Sequence, residues 1–200
     1  LGKGRIETLI DGIFAIAMTL LVLAIHLPEL RPDQLGSLWP SLVAMWPKFA
    51  TWAVSFLILG VFWVGHHNQF HYIKRSDRSL LWLNMAFALV ITFLPFSTAL
   101  LGEYFTSPVA VWIYGGNLIA SGLLLYALWR HATDHHRLVD SQLPEALIAG
   151  AGRRILKGPA AYAIACAIAA WDTRPALIIF ALMPLYYVLP GRLDWHWHPL

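Results

Sequence analysis

Nine histidines and one acid set within an apolar run are the side chains of this 200-residue chain best suited to chemistry. Two short runs concentrate the imidazoles: HHNQFH, with His66, His67 and His71, and HATDHH, with His131, His135 and His136. Imidazole suits iron or zinc, and membrane di-iron oxygenases use histidine clusters of this general kind. Such sites need several ligand boxes at strict spacing, and no H-x-x-H-H occurs here. HATDHH therefore reads as a solvated loop. His66 and His67 read as members of a structural polar cluster, with a proton or pH role as the alternative. No metal and no organic cofactor is expected. The single cysteine, Cys166, excludes an internal disulfide and, within an apolar run, reads as small core filler.

The elements that position these residues follow from composition. Hydrophobic residues make up 58% of the chain and charged ones only 12%, against about 25% charged in soluble domains. A water-soluble fold is excluded, and the chain reads as one all-α, polytopic membrane domain over residues 1–200. A helix needs roughly 20 residues to cross the bilayer core. That ruler predicts six spans at 5–27, 44–72, 80–101, 109–130, 155–171 and 176–189, the last two short. Pro28 to Pro40 is a turn region, because it carries Pro, Glu, Arg and Asp. The first apolar run holds an acid, lacks a small-residue cleavage site and is too long for a signal h-region, so it reads as a retained span.

The net charge of +3 would suggest nucleic acid in a soluble protein, but here basic residues orient loops and no nucleic-acid partner is expected. Six spans place eleven of the fourteen Lys and Arg residues on the side of the termini and the even-numbered loops. Arg31, Lys48 and Arg174 fall on the other. Both termini are thus predicted to be cytoplasmic, in a bacterial plasma membrane. Tryptophans 39, 46, 52, 112, 129, 171, 195 and 197 lie near span ends as interfacial anchors, whereas Trp63 and Trp82 lie in or near polar clusters. In the long loop from Ala132 to Gly152, Leu138 to Ile148 reads as a short interfacial helix. The terminal DWHWHPL reads as an interface anchor.

The first helix is the most informative span. From Ile13 to Ile25 it is apolar apart from Thr19. At about 100° per residue, Ile16, Leu20, Leu23 and Leu27 fall within about 40° of Leu9, while Asp11 lies nearly opposite. An acid within a span is costly and faces a partner in the bundle interior. Counting from the basic residues that mark the boundary, Asp11, Asn84 and the stretch His66 to Asn68 all lie roughly 9 to 12 Å deep. This predicts a polar cluster of Asp11, His66 or His67, Asn68 and Asn84 joining the first three helices. The Leu9 to Leu27 stripe is then free to meet lipid, another helix or a pore, and a ring of such stripes could gate ions by dewetting.

The start of this helix resembles a known signature. Arg5, three residues, then Leu9, Ile10 and Asp11, followed by GIFAIAMTLLVL, is similar to the R-x-x-x-F-S-D motif and pore helix of the bacterial relatives of transmembrane protein 175, the endolysosomal potassium channel. Leu9 and Ile10 stand in place of the Phe and Ser. The resemblance continues in W-x-x-H-H (Trp63, His66, His67), in Asn84 and in F-L-P-F (Phe93 to Phe96), covering about the first 105 residues. It implies a homotetrameric, potassium-preferring cation channel with the first helices around the pore and potassium as the permeant ion. It further implies constriction residues at Ile16, Leu20 and Leu23 and a hydroxyl layer at Thr19. The narrowest ring is expected at Ile16, with Thr19 or bound water easing ions across. No T-V-G-Y-G filter is present, so carbonyl-cage selectivity is not available.

A secondary transporter is the rival reading. Gly115, Gly116 and Asn117 in the fourth span, Pro159 in the fifth and Pro184 in the sixth could break helices as transporters require. Only Asp11 offers a clear buried acid for coupling. Pro95 reads as a kink.

Overall fold

The structure is a computed structural model and describes residues 3–189. Seven α-helices and short 3-10 turns make up the described part: α1 (Lys3–Leu23), α2 (Leu38–Ala44), α3 (Trp46–Tyr72), α4 (Arg78–Glu103), α5 (Pro108–Thr133), α6 (Glu145–Ile168) and α7 (Thr173–Val188). Four of them, α1, α3, α4 and α5, are long and apolar enough to cross a membrane. The basic residues Arg153, Arg154 and Lys157 interrupt the hydropathy of α6, and α7 has only 16 residues. The readings placed on Arg192, Trp195, Trp197 and DWHWHPL lie outside the described residues.

Helix ends follow local chemistry. Pro47 and Pro108 occupy first-turn positions, where a missing N–H costs nothing. Asp77 caps α4 by accepting from the Leu80 N–H, and Asp172 caps α7 by accepting from the Arg174 N–H. The first helix stops at Leu23, four residues short of the predicted Leu27. Pro28 biases the residue before it towards extended backbone, and the chain unwinds ahead of it. Pro32–Ser37 forms a 3-10 turn and α2 follows from Leu38, so the turn region becomes helical before it ends.

The predicted interfacial helix at Leu138 to Ile148 is corrected by the structure. Leu138 and Val139 are buried and not helical, and Val139 forms an antiparallel bridge with Ile73. The Lys74 and Arg75 N–H groups donate to the Leu138 carbonyl at 2.8 and 3.2 Å. Helix α6 begins only at Glu145, ten residues ahead of the predicted span, and runs without interruption into the apolar segment.

Helices α4 and α5 are central: α4 touches α1, α3 and α5, and α5 also touches α6 and α7. Close approach depends on several glycines, Gly115 against Cys166 among them. A Cβ on Gly122 would stand 2.5 Å from the Pro159 ring, and one on Gly102 would stand 3.2 Å from the Lys48 backbone. At the Gly102 contact, Lys48 and Glu103 form a 2.6 Å ion pair joining the start of α3 to the end of α4. Helices α5, α6 and α7 are continuous through Gly115–Asn117, Pro159 and Pro184, so the broken helices of the transporter reading are not what these residues produce. The Asn117 amide donates to the Val90 carbonyl at 2.9 Å and accepts from the Ser97 hydroxyl at 3.1 Å, bonding α5 to the α4 backbone beside Pro95. In α6 the Tyr187 hydroxyl enters the helix ladder, accepting from the Gly158 N–H at 2.9 Å and donating to the Arg154 carbonyl at 2.8 Å.

A latch joins the α3–α4 turn to the end of α5. His131 Nε2 lies 3.0 Å from both Asp77 carboxylate oxygens, and Arg137 Nε pairs with Asp77 at 3.0 Å. His136 Nε2 lies 3.0 Å from the Leu143 carbonyl. His135 and His136 take left-handed backbone angles, φ 47° and 53°, in this tight turn. HATDHH is therefore a packed joint rather than a solvated loop. Partial desolvation opposes the Asp77 charge, but the Leu80 N–H, His131 and Arg137 together hold its carboxyl below the usual carboxylate range.

A carboxyl lowered in the folded state contributes stability that is complete above the ordinary carboxylate range and lost as pH falls through the native value. Thermal unfolding of the detergent-solubilised protein should therefore lose stability below roughly pH 4. Asp77→Asn, which keeps a helix cap, should flatten that acid limb; an unchanged limb would remove Asp77 as its source.

Candidate functional site

The first helix presents three faces. Ile6, Ile10, Phe14, Ala17 and Leu21 are buried against the rest of the chain, and α1 touches α3 and α4. This row lies roughly 100° around the helix from Leu9. Leu9, Ile16, Leu20 and Leu23 are all exposed, Ile16 at 61% and Leu23 at 69%, whereas Leu27, though exposed, lies beyond the helix end at Leu23 and so is not on the stripe. Within the single chain the aliphatic stripe is left largely open, Leu20 being its most covered member. Thr19 is also exposed and stands roughly 80° from Leu9, on the side away from the core. Its hydroxyl donates to the Ile16 carbonyl at 2.8 Å, the usual resting bond of a helical threonine.

The core row carries α1, and this changes the role read for Asp11. Asp11 lies on the far flank of the buried row, where its carboxylate accepts a 2.8 Å hydrogen bond from Trp63 Nε1 of α3. Trp63 stacks on His67 with centroids 5.9 Å apart. Anchoring comes from aliphatic and aromatic packing, with the Asp11–Trp63 bond beside it. Arg5 is exposed one turn before Leu9 and makes no ion pair among the described residues.

The predicted polar cluster separates into two pairs. His66 Nε2 lies 2.8 Å from Asn84 Oδ1, with both residues buried. Asn84 Nδ2 donates to the Leu80 carbonyl, so the Asn84 oxygen is the acceptor and His66 Nε2 carries the proton. The imidazole also stacks on Phe70 and Phe87, at 4.3 and 5.7 Å. Phe87 in turn meets Phe14 of α1 and Phe62 of α3. His66 and Asn84 thus join α3 to α4 directly beneath the aromatic contact that seats α1. Asn68 is half-buried and makes no hydrogen bond among the described residues, so it belongs to neither pair.

The depth argument places these residues at one level but cannot distinguish their azimuths around α3. His66 and His67 are neighbours about 100° apart on a helix, so one turns to α4 and the other to the α1 flank. Trp63, one turn before His67 and placed by the sequence in or near a polar cluster, is the partner that Asp11 takes. An indole N–H facing an intramembrane acid was the available signal. A second group also escaped notice: Ser55 accepts from the Thr98 hydroxyl at 2.9 Å and shares a 2.9 Å bond with the Tyr114 hydroxyl, joining α3, α4 and α5 in the buried core. Among the described residues no three His, Cys, Asp or Glu side chains converge as a metal site.

The fold is that of an all-helical, multi-pass membrane protein, with one helix held on a single face and its aliphatic stripe left exposed. A family model described as endosomal/lysosomal potassium channel TMEM175 matches residues 5–95. A potassium channel of Streptomyces collinus is 37% identical over 189 residues, covering 92% of this chain and 91% of that protein. The crystal structure of a lysosomal potassium-selective channel TMEM175 homolog from Chamaesiphon minutus superposes with a TM-score of 0.82 at 32% identity, over 94% of this chain and 96% of that one. The human endosomal/lysosomal proton channel TMEM175 is 26% identical over 162 residues, which span 78% of this chain but 32% of the human protein. The chain belongs to the TMEM175 family, whose members are ion channels and not enzymes.

Trp63→Phe keeps the ring and removes the donor to Asp11. Asp11 is exposed rather than in the bundle interior, so the change should lower stability by only about 1 kcal/mol, the net worth of one hydrogen bond, read as a fall in thermal unfolding temperature in detergent. An unchanged midpoint would show the Asp11–Trp63 bond to be idle.

Proposed function

We propose that this chain forms a homotetrameric, potassium-preferring cation channel whose pore is lined by α1. The single observation that carries the reading is the exposed stripe on a helix otherwise anchored to its own chain. The names of the bacterial relatives, both potassium channels, supply the ion. In this reading residues 1–200 form one channel domain with six spans, the apolar part of α6 and the short α7 completing the four long helices. Both termini lie in the cytoplasm of a bacterial cell, and the surrounding lipid and the permeant monovalent cations are the only other partners required.

Four copies of Ile16, Leu20 and Leu23 would form successive apolar rings. A narrow apolar ring excludes water and so imposes a dehydration barrier on ions. Potassium, less tightly hydrated than sodium, crosses such a barrier more easily, which gives a preference without a carbonyl cage. In this reading Thr19 helps from the rim: its hydroxyl would leave the Ile16 carbonyl, or hold a water, to meet a partly dehydrated ion. No bound cofactor is needed, and potassium enters as the transported ion.

Proton permeation is the second reading, favoured by the animal relatives, which are named endosomal/lysosomal proton channels. The larger identity to the potassium channels places it second.

Ile16→Asn in reconstituted liposomes should raise potassium flux about tenfold or more, since widening or wetting the ring removes at least about 1.4 kcal/mol of barrier, and should reduce the preference over sodium. Unchanged flux and selectivity would remove Ile16 from the conduction path. A flux that persists with protons as the only permeant cation and vanishes for potassium would favour the second reading.

A further inference from the structure

Arg153 and Lys157 stand one turn apart on the same exposed face of α6. Like charges at this spacing are mutually destabilising on an isolated helix. Among the described residues neither forms an ion pair, and Arg153 forms no hydrogen bond. The acids at this end of the bundle are engaged elsewhere: Glu7 by Lys3, Asp77 by His131 and Arg137, Asp134 by Arg130, and Glu145 faces His136. Asp140 accepts from the Gln142 N–H. Among the described residues no acid is thus paired with Arg153 or Lys157.

Depth narrows the identity of an anion that would neutralise these two cations. Pro159 packs against Gly122, eight residues inside Arg130 on α5, which puts Lys157 roughly 9 Å inside the level of Arg130. From that depth a lysine stem can lie along hydrocarbon while its ammonium reaches up towards the headgroups. The Lys157 ammonium is held there by a 2.8 Å bond to the Tyr186 hydroxyl, and the Tyr187 hydroxyl set into the α6 ladder fixes the turn between Arg154 and Gly158. Beyond Lys157 the same face continues as Ala160, Ile164 and Ala167, all exposed. It is a smooth apolar strip with no polar group.

We propose that Arg153 and Lys157 bind the phosphate of an anionic phospholipid whose acyl chain lies along Ala160, Ile164 and Ala167. A free phosphate would use the two cations but leave the strip without a role, whereas a lipid fits both. At about 1 kcal/mol per basic side chain, loss of both charges should weaken binding roughly thirtyfold.

The test is thermal unfolding of the full-length purified protein in neutral detergent, titrated with phosphatidylglycerol, phosphatidylcholine or inorganic phosphate. Phosphatidylglycerol should raise the midpoint of the wild-type protein, and the other two should not. Arg153→Gln with Lys157→Gln should shift the titration roughly thirtyfold to higher lipid. Arg153→Lys, which keeps the charge, should retain binding, as should the exposed control pair Arg75→Gln with Arg78→Gln. The proposal is overturned if the double variant responds as wild type does, if inorganic phosphate reproduces the shift, or if the control pair loses as much. Dissociation of the double variant into smaller species in neutral detergent would make the face a protein contact and overturn it equally.

Discussion

Everything distinctive about this molecule depends on how α1 is held. A row at helical spacing, Ile6, Ile10, Phe14, Ala17 and Leu21, buries one side of the helix. The remaining surface, which includes Ile16, Leu20 and Leu23, is left for contacts outside the chain. Hydrocarbon does not drive apolar helices together as water does, so helix association in a bilayer rests on close packing and on polar bonds. The Phe14–Phe87–Phe62 contact supplies the first and the Asp11–Trp63 bond the second. A helix fixed on one flank only can present a stripe to an axis while remaining rigid.

The supports behind α1 obey the same economy. Polar side chains buried between α3, α4 and α5 find partners within the bundle: His66 with Asn84, Ser55 with Thr98 and Tyr114, and Asn117 with the α4 backbone beside Pro95. Each bond joins two helices at a chosen depth. Together they set the angular position of α4, and α4 is what α1 packs against. The histidine therefore acts first as a strut, with its proton directed at an amide oxygen, and the hydropathy-breaking residues of the sequence become the joints of the structure.

How far the sequence was legible depends on which quantity each argument used. Hydropathy and proline placement located α3, α4 and α5 to within three residues at each end. They misplaced the ends of α1 and α6, where unwinding before Pro28 and a charged helical extension from Glu145 carry no hydropathy signal. Depth counting found the level of Asp11, His66 and Asn84, yet it treated a level as a cluster, because distance along an axis says nothing about azimuth. The aliphatic stripe could be read from helical angle alone and is exposed as that angle implies. The packed joint at Asp77, His131 and Arg137 could not be read, since its members are brought together by the Ile73–Val139 bridge across 66 residues of chain.

The central claim is that four copies of Ile16 converge on one axis. Ile16→Cys in a Cys166→Ala background would place a ring of thiolates there, and thiolates bind soft divalent metals tightly. Potassium flux in liposomes should then be blocked by micromolar cadmium and restored by a chelator, while Val22→Cys, exposed and roughly 120° around α1 from Ile16, should conduct unaffected. Cadmium-insensitive flux through the Ile16→Cys protein, or equal block at Val22→Cys, would contradict the account.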